Sequence, residues 1–335
     1  MGDPRRGGDP MTRRPQPPVA RPMSGEDFRT LYERLRAAAR PEAHGGAHGS
    51  GHGGRRGALR HLTPARVAAA AAEVRLGRTV SLAAPIETRP GPDNPEPAKH
   101  RMTGPAPGEA GAEGLHFALD RFAMNVHGDA DSHLDALNHV LYDGELYDGV
   151  PAVDATAAEV RSLSVDLVRE GIAGRGVLLD VPRLRGVPWL EPGDHVTAQD
   201  LTAAEDAQGV RVGPGDLLLV RVGHRRRRGE LGAWEAARAR AGLHPEAMVF
   251  LAEREVAVLG GDGNNDTAPS AVADVAFPVH VLAVHAMGVH LMDYLQFEEL
   301  AGACARAGRW SFLCVVAPLR LPGATGSPVN PIAVL

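Results

Sequence analysis

The stretch GVLLDVPRLRGVPWLEPGDHVTAQDLTAAEDAQGVRVGPGDLLLVRV, residues 176–222, decides the fold class. It opens on one apolar run, GVLLDV (176–181), and closes on another, DLLLVRV (216–222), with a helical pattern over 197–208 between them. Short apolar runs bounded by Pro and Gly read as buried strands, and a helix between two such runs is an α/β signature. The alternation continues outward. Strand-like runs recur at TVSLAAPI (79–86), HFALDRFAM (116–124), EVAVLGG (255–261) and SFLCVVAPLRL (311–321). Helical patterns fall at 157–170, 231–241, 244–254 and 278–307. The expectation is an α/β arrangement around one central sheet, its joints punctuated by EPGD (191–194) and GPGD (213–216).

Upstream the composition changes. Residues 1–23 are rich in Pro, Arg and Gly and cannot bury apolar surface, so a disordered extension is expected. Residues 24–40 read as a helix, with Ser24 as N-cap and Phe28, Leu31, Tyr32 and Leu35 at helical spacing. A Gly/His tract over 43–57 follows, with His44, His48 and His52 four apart. Its glycines oppose a helix, which makes it a linker with adventitious metal affinity. Thr63 and Pro64 then open a capped helix, TPARVAAAAAEVRLG. The division expected is an extension (1–23), a helix and linker (24–57) and one domain (58–335).

The chain has 335 residues, 44% hydrophobic and 23% charged, which is globular and ample for a core. A net charge of −5 argues against a nucleic-acid partner. Aromatic residues make up only 4%, so Ala, Val and Leu must fill the interior. Cys304 and Cys314, the only cysteines, lie in apolar surroundings and read as buried thiols. No run is long enough to span a membrane and no secretory signal is visible, so a cytoplasmic protein is expected.

The chemistry concentrates in NVHGDADSHLDALNHVLYDGELYDGV, residues 125–150. Asp129, Asp131, His133, Asp135 and His139 fall within eleven positions. Carboxylate oxygen and imidazole nitrogen are the ligand set of a catalytic Zn²⁺ or Mn²⁺. On an extended strand His133 and Asp135 share a face, and His139 would return to that side if a helix began after Asp135. Three other places carry candidate chemistry. The run HRRRRGELG (224–232) reads as a solvated connection after a strand. The turn GGDGNND (260–266) puts Asp262 at the C-terminal end of a strand, where ligands bind in open α/β sheets. Finally, PVHVLAVHAMGVHLMDYLQFEEL (278–300) holds His280, His285, His290 and Asp293, of which His280 could reach the metal cluster.

Taken together, these segments resemble the metal-dependent cyclase family, which includes bacterial kynurenine formamidase and isatin hydrolase. Its motif is H-x-G-T-H-x-D-x-P-x-H, and DSHLDALNH supplies its second His, its Asp and its last His as His133, Asp135 and His139. Further likenesses are GALRHLTPARV (57–67), VRVGH (220–224), LHPEAMVFLAEREVAVLGGDGNND (243–266) and APLRLPGATGSPV (317–329). The family's first His falls on Asp129, its Thr on Ser132 and its Pro on Leu137. His280 and Asp293 stand at or within one residue of the late His and Glu ligands of two-metal members.

The resemblance implies a central mixed β-sheet or flattened barrel ringed by helices, and a homodimer or homotetramer. It also implies hydrolysis of a carbon–nitrogen amide bond in a small molecule, a formamide or a cyclic amide. Asp129, His133 and Asp135 would hold one Mn²⁺ or Zn²⁺ ion. His139 would be the general base, or would complete a second site with Asp135, His280 and Asp293. Tyr142, Tyr147, Trp189 and Asp262 are the candidate substrate contacts. A lyase or true cyclase, or a non-catalytic metal-binding scaffold, would use the same residues differently. If Asp129 is not a ligand, Asp131 or His127 must take its place.

Overall fold

The computed structural model describes residues 22–39, 54–104, 111, 113–152 and 157–335. The expected extension, apart from its last two residues, and His44, His48 and His52 of the Gly/His tract lie outside these. Nine strands form one sheet. In chain order they are β1 (Thr79–Ser81), β2 (His133–Asp135), β3 (Ile172–Asp180), β4 (Leu217–Arg221), β5 (Val258–Gly261), β6 (His290–Asp293), β7 (Ser311–Val316), β8 (Gly326–Pro328) and β9 (Ile332–Val334). Their spatial order is β1-β9-β7-β3-β4-β5-β6-β2-β8.

The middle of the sheet is parallel from β3 to β6, with Gly176 beside Leu217, Leu217 beside Val258 and Val258 beside His290. Both flanks are antiparallel. Parallel strands covered on both faces read as unbroken apolar runs, and every residue of β4 and β5 is buried. The strand–helix–strand reading of 176–222 holds, with Ala198–Gln208 as its helix. Thr197 and Asp200 close a reciprocal capping box at its start, and Gly209 ends it at φ +62°. The helix Gly25–Ala39 buries Phe28, Leu31, Tyr32 and Leu35, and Ser24 Oγ accepts from the Asp27 amide at 3.1 Å. Met23 is buried as well, its amide donating to the Ala271 carbonyl at 2.8 Å, so the chain is anchored one residue before that cap.

Tertiary contacts override several local patterns. The stretch expected to be one helix, 278–307, divides into a turn of α-helix (Pro278–His280), a π-helix (Val281–Ala286), strand β6 and the helix Glu298–Ala307. Gly288, at φ +67°, lies between the π-helix and β6. The run HLMD then finds partners on both sides, which an isolated helix could not offer. HFALDRFAM yields a strand at Leu119–Ala123, but it pairs with Lys99–Gly104 as a hairpin outside the main sheet. Of residues 231–241, only Leu231 is helical, and the rest are irregular with a turn at 236–238. HRRRRGELG is itself the helix His224–Leu231, with His224 and Arg225 buried, and not a solvated connection. Among the described residues no helix is long and apolar enough to cross a membrane. Cys304 and Cys314 are buried free thiols, and burial pushes both up to about 12.

Candidate metal centre

Strand β2 is three residues long and wholly buried. Leu134 points into the core, so His133 and Asp135 share the opposite face, as alternation along a strand requires. Antiparallel pairing sets Asp293 of β6 directly across from His133. The result is a group of three buried ligand-bearing side chains, His133, Asp135 and Asp293, whose donor atoms lie within 4.8 Å of one another.

Each of these donors is oriented from behind. His133 Nδ1 donates to the Asp131 carbonyl at 2.8 Å, which leaves Nε2 with its lone pair facing the group. Asn264 Nδ2 donates to Asp293 Oδ2 at 2.8 Å, and Asn265 Nδ2 to Asp293 Oδ1 at 2.5 Å. His280 enters from the turn before the π-helix. Its Nδ1 donates to Asp266 Oδ2 at 2.6 Å, and Asp266 also accepts from the amides of Val279 and His280. His280 Nε2 therefore faces the group, 3.4 Å from both Asp135 Oδ2 and Asp293 Oδ2. Carboxylate–histidine pairs of this kind are how proteins aim an imidazole at a metal.

The donor set fits a divalent cation. Asp135 Oδ2 is buried and has no hydrogen-bond partner, an expensive state for a carboxylate oxygen unless a cation faces it. Donors separated by about 3.4 Å suit a tetrahedral ion with bonds of about 2.1 Å. The electrostatics agree. Burial would lower His280, but the Asp293 charge, the neighbouring Asp135 carboxylate and the hydrogen bond it donates to Asp266 hold it well above the usual histidine range. Burial would raise Asp135, yet His127 and His280 hold it well below the usual carboxylate range. This buried site stabilises positive charge.

A second group, His127, Asp135 and His139, shares Asp135 with the first. His127 Nδ1 lies 2.9 Å from Asp135 Oδ1, and its Nε2 lies 2.9 Å from Thr325 Oγ1. His139 arrives through a turn, its amide donating to the Ala136 carbonyl, and not through the helix anticipated after Asp135. Burial lowers it to about 4, so the ring is neutral at pH 7.

Of the residues expected in the site, His133, Asp135, His139, His280 and Asp293 come together here. Asp129 belongs to neither group: it accepts the Tyr294 hydroxyl at 2.5 Å. Asp131 is turned away as well, accepting from the Glu87 amide at 2.8 Å. The expected substrate contacts have partners of their own. Tyr142 packs among Phe28, Tyr32 and His285. Tyr147 is buried over Gly288, where a Cβ would meet its ring at 2.5 Å. Trp189 donates to Glu191, and Asp262 is fully buried, accepting from the amides of Val222 and Gly223. Burial raises Asp262 to about 6. Sequence reasoning held His127 only as a substitute, because nothing local showed that the chain between 125 and 132 would carry it to Asp135.

The fold recurs in known proteins. The family model described as "Putative cyclase" matches residues 55–265. The chain belongs to the cyclase family. A crystal structure of a novel cyclase is similar with a TM-score of 0.73 and 31% identity, covering 84% of this chain and 94% of that one. Isatin hydrolase A from Labrenzia aggregata, bound to benzyl benzoate, has a TM-score of 0.56 at 19% identity, covering 76% of this chain and 93% of its own. Isatin hydrolase A from Ralstonia solanacearum has a TM-score of 0.54 at 24% identity, covering 81% and 97%. These two share the fold. Among curated protein sequences, none matches the chain.

Proposed function

We propose that the chain is a metal-dependent hydrolase that cleaves a carbon–nitrogen amide bond in a small molecule, either a formamide or a cyclic amide. The observation that carries this reading is Asp135 Oδ2, buried without a hydrogen bond and enclosed by His133, Asp293 and His280 in a cyclase-family fold. His133, Asp135, Asp293 and His280 would hold the ion, and two carboxylates with two imidazoles suit Zn²⁺ or Mn²⁺. A bound divalent ion acidifies water and polarises a carbonyl.

The chain's own residues supply the proton traffic. His139 is neutral at pH 7 and accepts a proton from the attacking water, then returns it to the leaving nitrogen. His127, fixed between Asp135 and Thr325, keeps the His139 ring in place. The likeness to isatin hydrolases supports cyclic amides as the first substrates to try. A homodimer or homotetramer fits the hairpin Lys99–Gly104/Leu119–Ala123, whose residues are almost all exposed and include Met102, Leu119 and Phe122.

The test is a screen of purified, metal-analysed protein against formamides, isatin-like lactams, imides and lactones, read by product mass. Gain of one water with an amide substrate supports the proposal. Turnover that adds no water would make the chain a lyase or a true cyclase. A protein that binds metal with every coordination position closed would be a scaffold.

A further inference from the structure

Tyr294 follows Asp293 directly and adopts a left-handed backbone conformation, φ +55°. A bulky residue takes up that conformation only where its surroundings impose it. Here they do so from several sides. Its amide donates to the Gly263 carbonyl at 3.0 Å, beside the Asn264 and Asn265 side chains that grip Asp293. Its carbonyl accepts from Ser132 Oγ at 2.7 Å and from the Arg225 guanidinium. Arg225 also donates to the Ala130 carbonyl at 2.8 Å, tying down the chain just before His133. The hydroxyl of Tyr294, a 1% exposed residue, donates to Asp129 Oδ1 at 2.5 Å. One residue thus joins the approach to β2, the end of β6 and the loop after β5.

We propose that Asp129 serves the centre as the anchor of Tyr294 and not as a ligand, and that Tyr294 is a positioning residue that fixes the Asp293 carboxylate opposite His133. The inference rests on the metal reading given above. Its physical basis is that a three-residue strand cannot by itself hold a ligand pair in register. The tie between Asp129 and Tyr294 spans the two strands that carry the ligands, on the side away from Asp135. A carboxylate at position 129 then affects metal binding through the orientation of Asp293, without meeting the ion.

The experiment measures the affinity of the full chain for Mn²⁺ and Zn²⁺ alone by chelator competition, and the melting temperature of the metal-free protein. Four variants are compared: Tyr294→Phe, Asp129→Ala, Asp129→Asn and the double variant Tyr294→Phe/Asp129→Ala. Tyr294→Phe and Asp129→Ala should each weaken metal binding by about tenfold, the scale of groups that orient ligands. Asp129→Asn keeps an acceptor oxygen and should retain wild-type affinity. The double variant should be no weaker than either single one, because both remove the same bond. If Asp129→Asn loses metal while Tyr294→Phe keeps it, Asp129 is a ligand and the proposal falls. It falls too if Tyr294→Phe lowers only the melting temperature and leaves affinity unchanged. Should Asp129→Ala fail to fold, Tyr294→Phe, which deletes a single hydroxyl, decides alone. Failure of the wild type to bind either ion would instead remove the metal reading itself.

Discussion

The ring of His127 lies flat on the ring of His139, with centroids 3.8 Å apart and planes 9° apart. Two imidazoles so placed cannot both be charged, and burial already lowers His139 to about 4. His127 is the better tethered of the two, between Asp135 and Thr325. The pair therefore divides the work: His127 steadies Asp135, while His139 keeps a free lone pair beside it. His127→Phe would preserve the stack and remove both hydrogen bonds. Metal affinity should fall by about 10- to 100-fold with little loss of stability, measured by chelator competition and urea unfolding. His139→Gln should do the opposite, retaining metal while kcat drops by about 10²- to 10⁴-fold.

Removing a ligand should have a different signature from removing the base. Asp135 is the only residue common to both groups, and His133 aims its lone pair into the first. Asp135→Ala and His133→Ala should each abolish tightly held metal and turnover together. Chelation should silence the wild type, and Mn²⁺ or Zn²⁺ should restore it. Metal restoring activity to Asp135→Ala would show that Asp135 is dispensable.

The pH dependence of stability offers an independent check on burial. His290 is fully buried, neither ring nitrogen has a hydrogen-bond partner, and burial lowers it to about 4, the Asp135 charge opposing only in part. Its folded value lies below the unfolded one, so its contribution is fully present above about pH 6.5 and is lost as pH falls towards 4. A shift of that size is worth about 3 kcal/mol. Asp216 and Asp262, each raised to about 6 by burial, act in the opposite sense, their contributions fading as pH rises through 6. Substitution separates these effects. In the metal-free protein, His290→Leu should lose less stability between pH 7 and pH 4.5 than the wild type does, read by urea unfolding at both values. Equal losses would mean that His290 is not buried neutral.

What was legible in the sequence follows from how local each signal was. Residues two apart on a strand share a face whatever surrounds them, so His133 and Asp135 could be paired from sequence alone. His280 was legible as a candidate and Asp293 as a ligand only through resemblance, because the approach of Asp293 depends on β6 lying beside β2, with paired residues 156 to 160 apart in sequence. The bond between Asp129 and Tyr294 leaves no local mark for the same reason, its two ends being 165 residues apart. Arg225 was hidden in a run that looked solvated, since its partners are carbonyls 69 to 95 residues distant and leave no mark on composition. The π-helix after His280 was not legible at all, because the apolar run around it suits helix and strand equally.

The N-terminal anchor is testable by deletion. Met23 is buried, and Ser24 caps the helix Gly25–Ala39. Deleting residues 1–21 leaves both in place, whereas deleting 1–24 removes an apolar side chain and a cap. The longer deletion should cost about 2–4 kcal/mol more than the shorter, with about 1 kcal/mol from the cap. Thermal unfolding of the two proteins would show the difference, and equal melting temperatures would mean that Met23 contributes nothing.

Gly326 connects the C-terminal segment to the centre. It pairs with Asp135 across β8 and β2, and a Cβ there would come within 2.6 Å of the Leu134 carbonyl and 2.7 Å of His127 Cε1. Its neighbour Thr325 holds His127 Nε2. The GATGSP stretch therefore does two things at once, leaving room for the His127 ring and tethering it. In Gly326→Ala the new methyl meets a backbone carbonyl that cannot move without opening the strand pair, so the His127 ring must yield first. Metal affinity should fall by at least as much as in His127→Phe, and the stack on His139 should be lost with it. Thr325→Val, which removes the tether and leaves the space, should have the smaller effect of the two. Parallel chelator titrations of the three variants would establish the order, and wild-type affinity in Gly326→Ala would show that His127 takes no part in holding the ion.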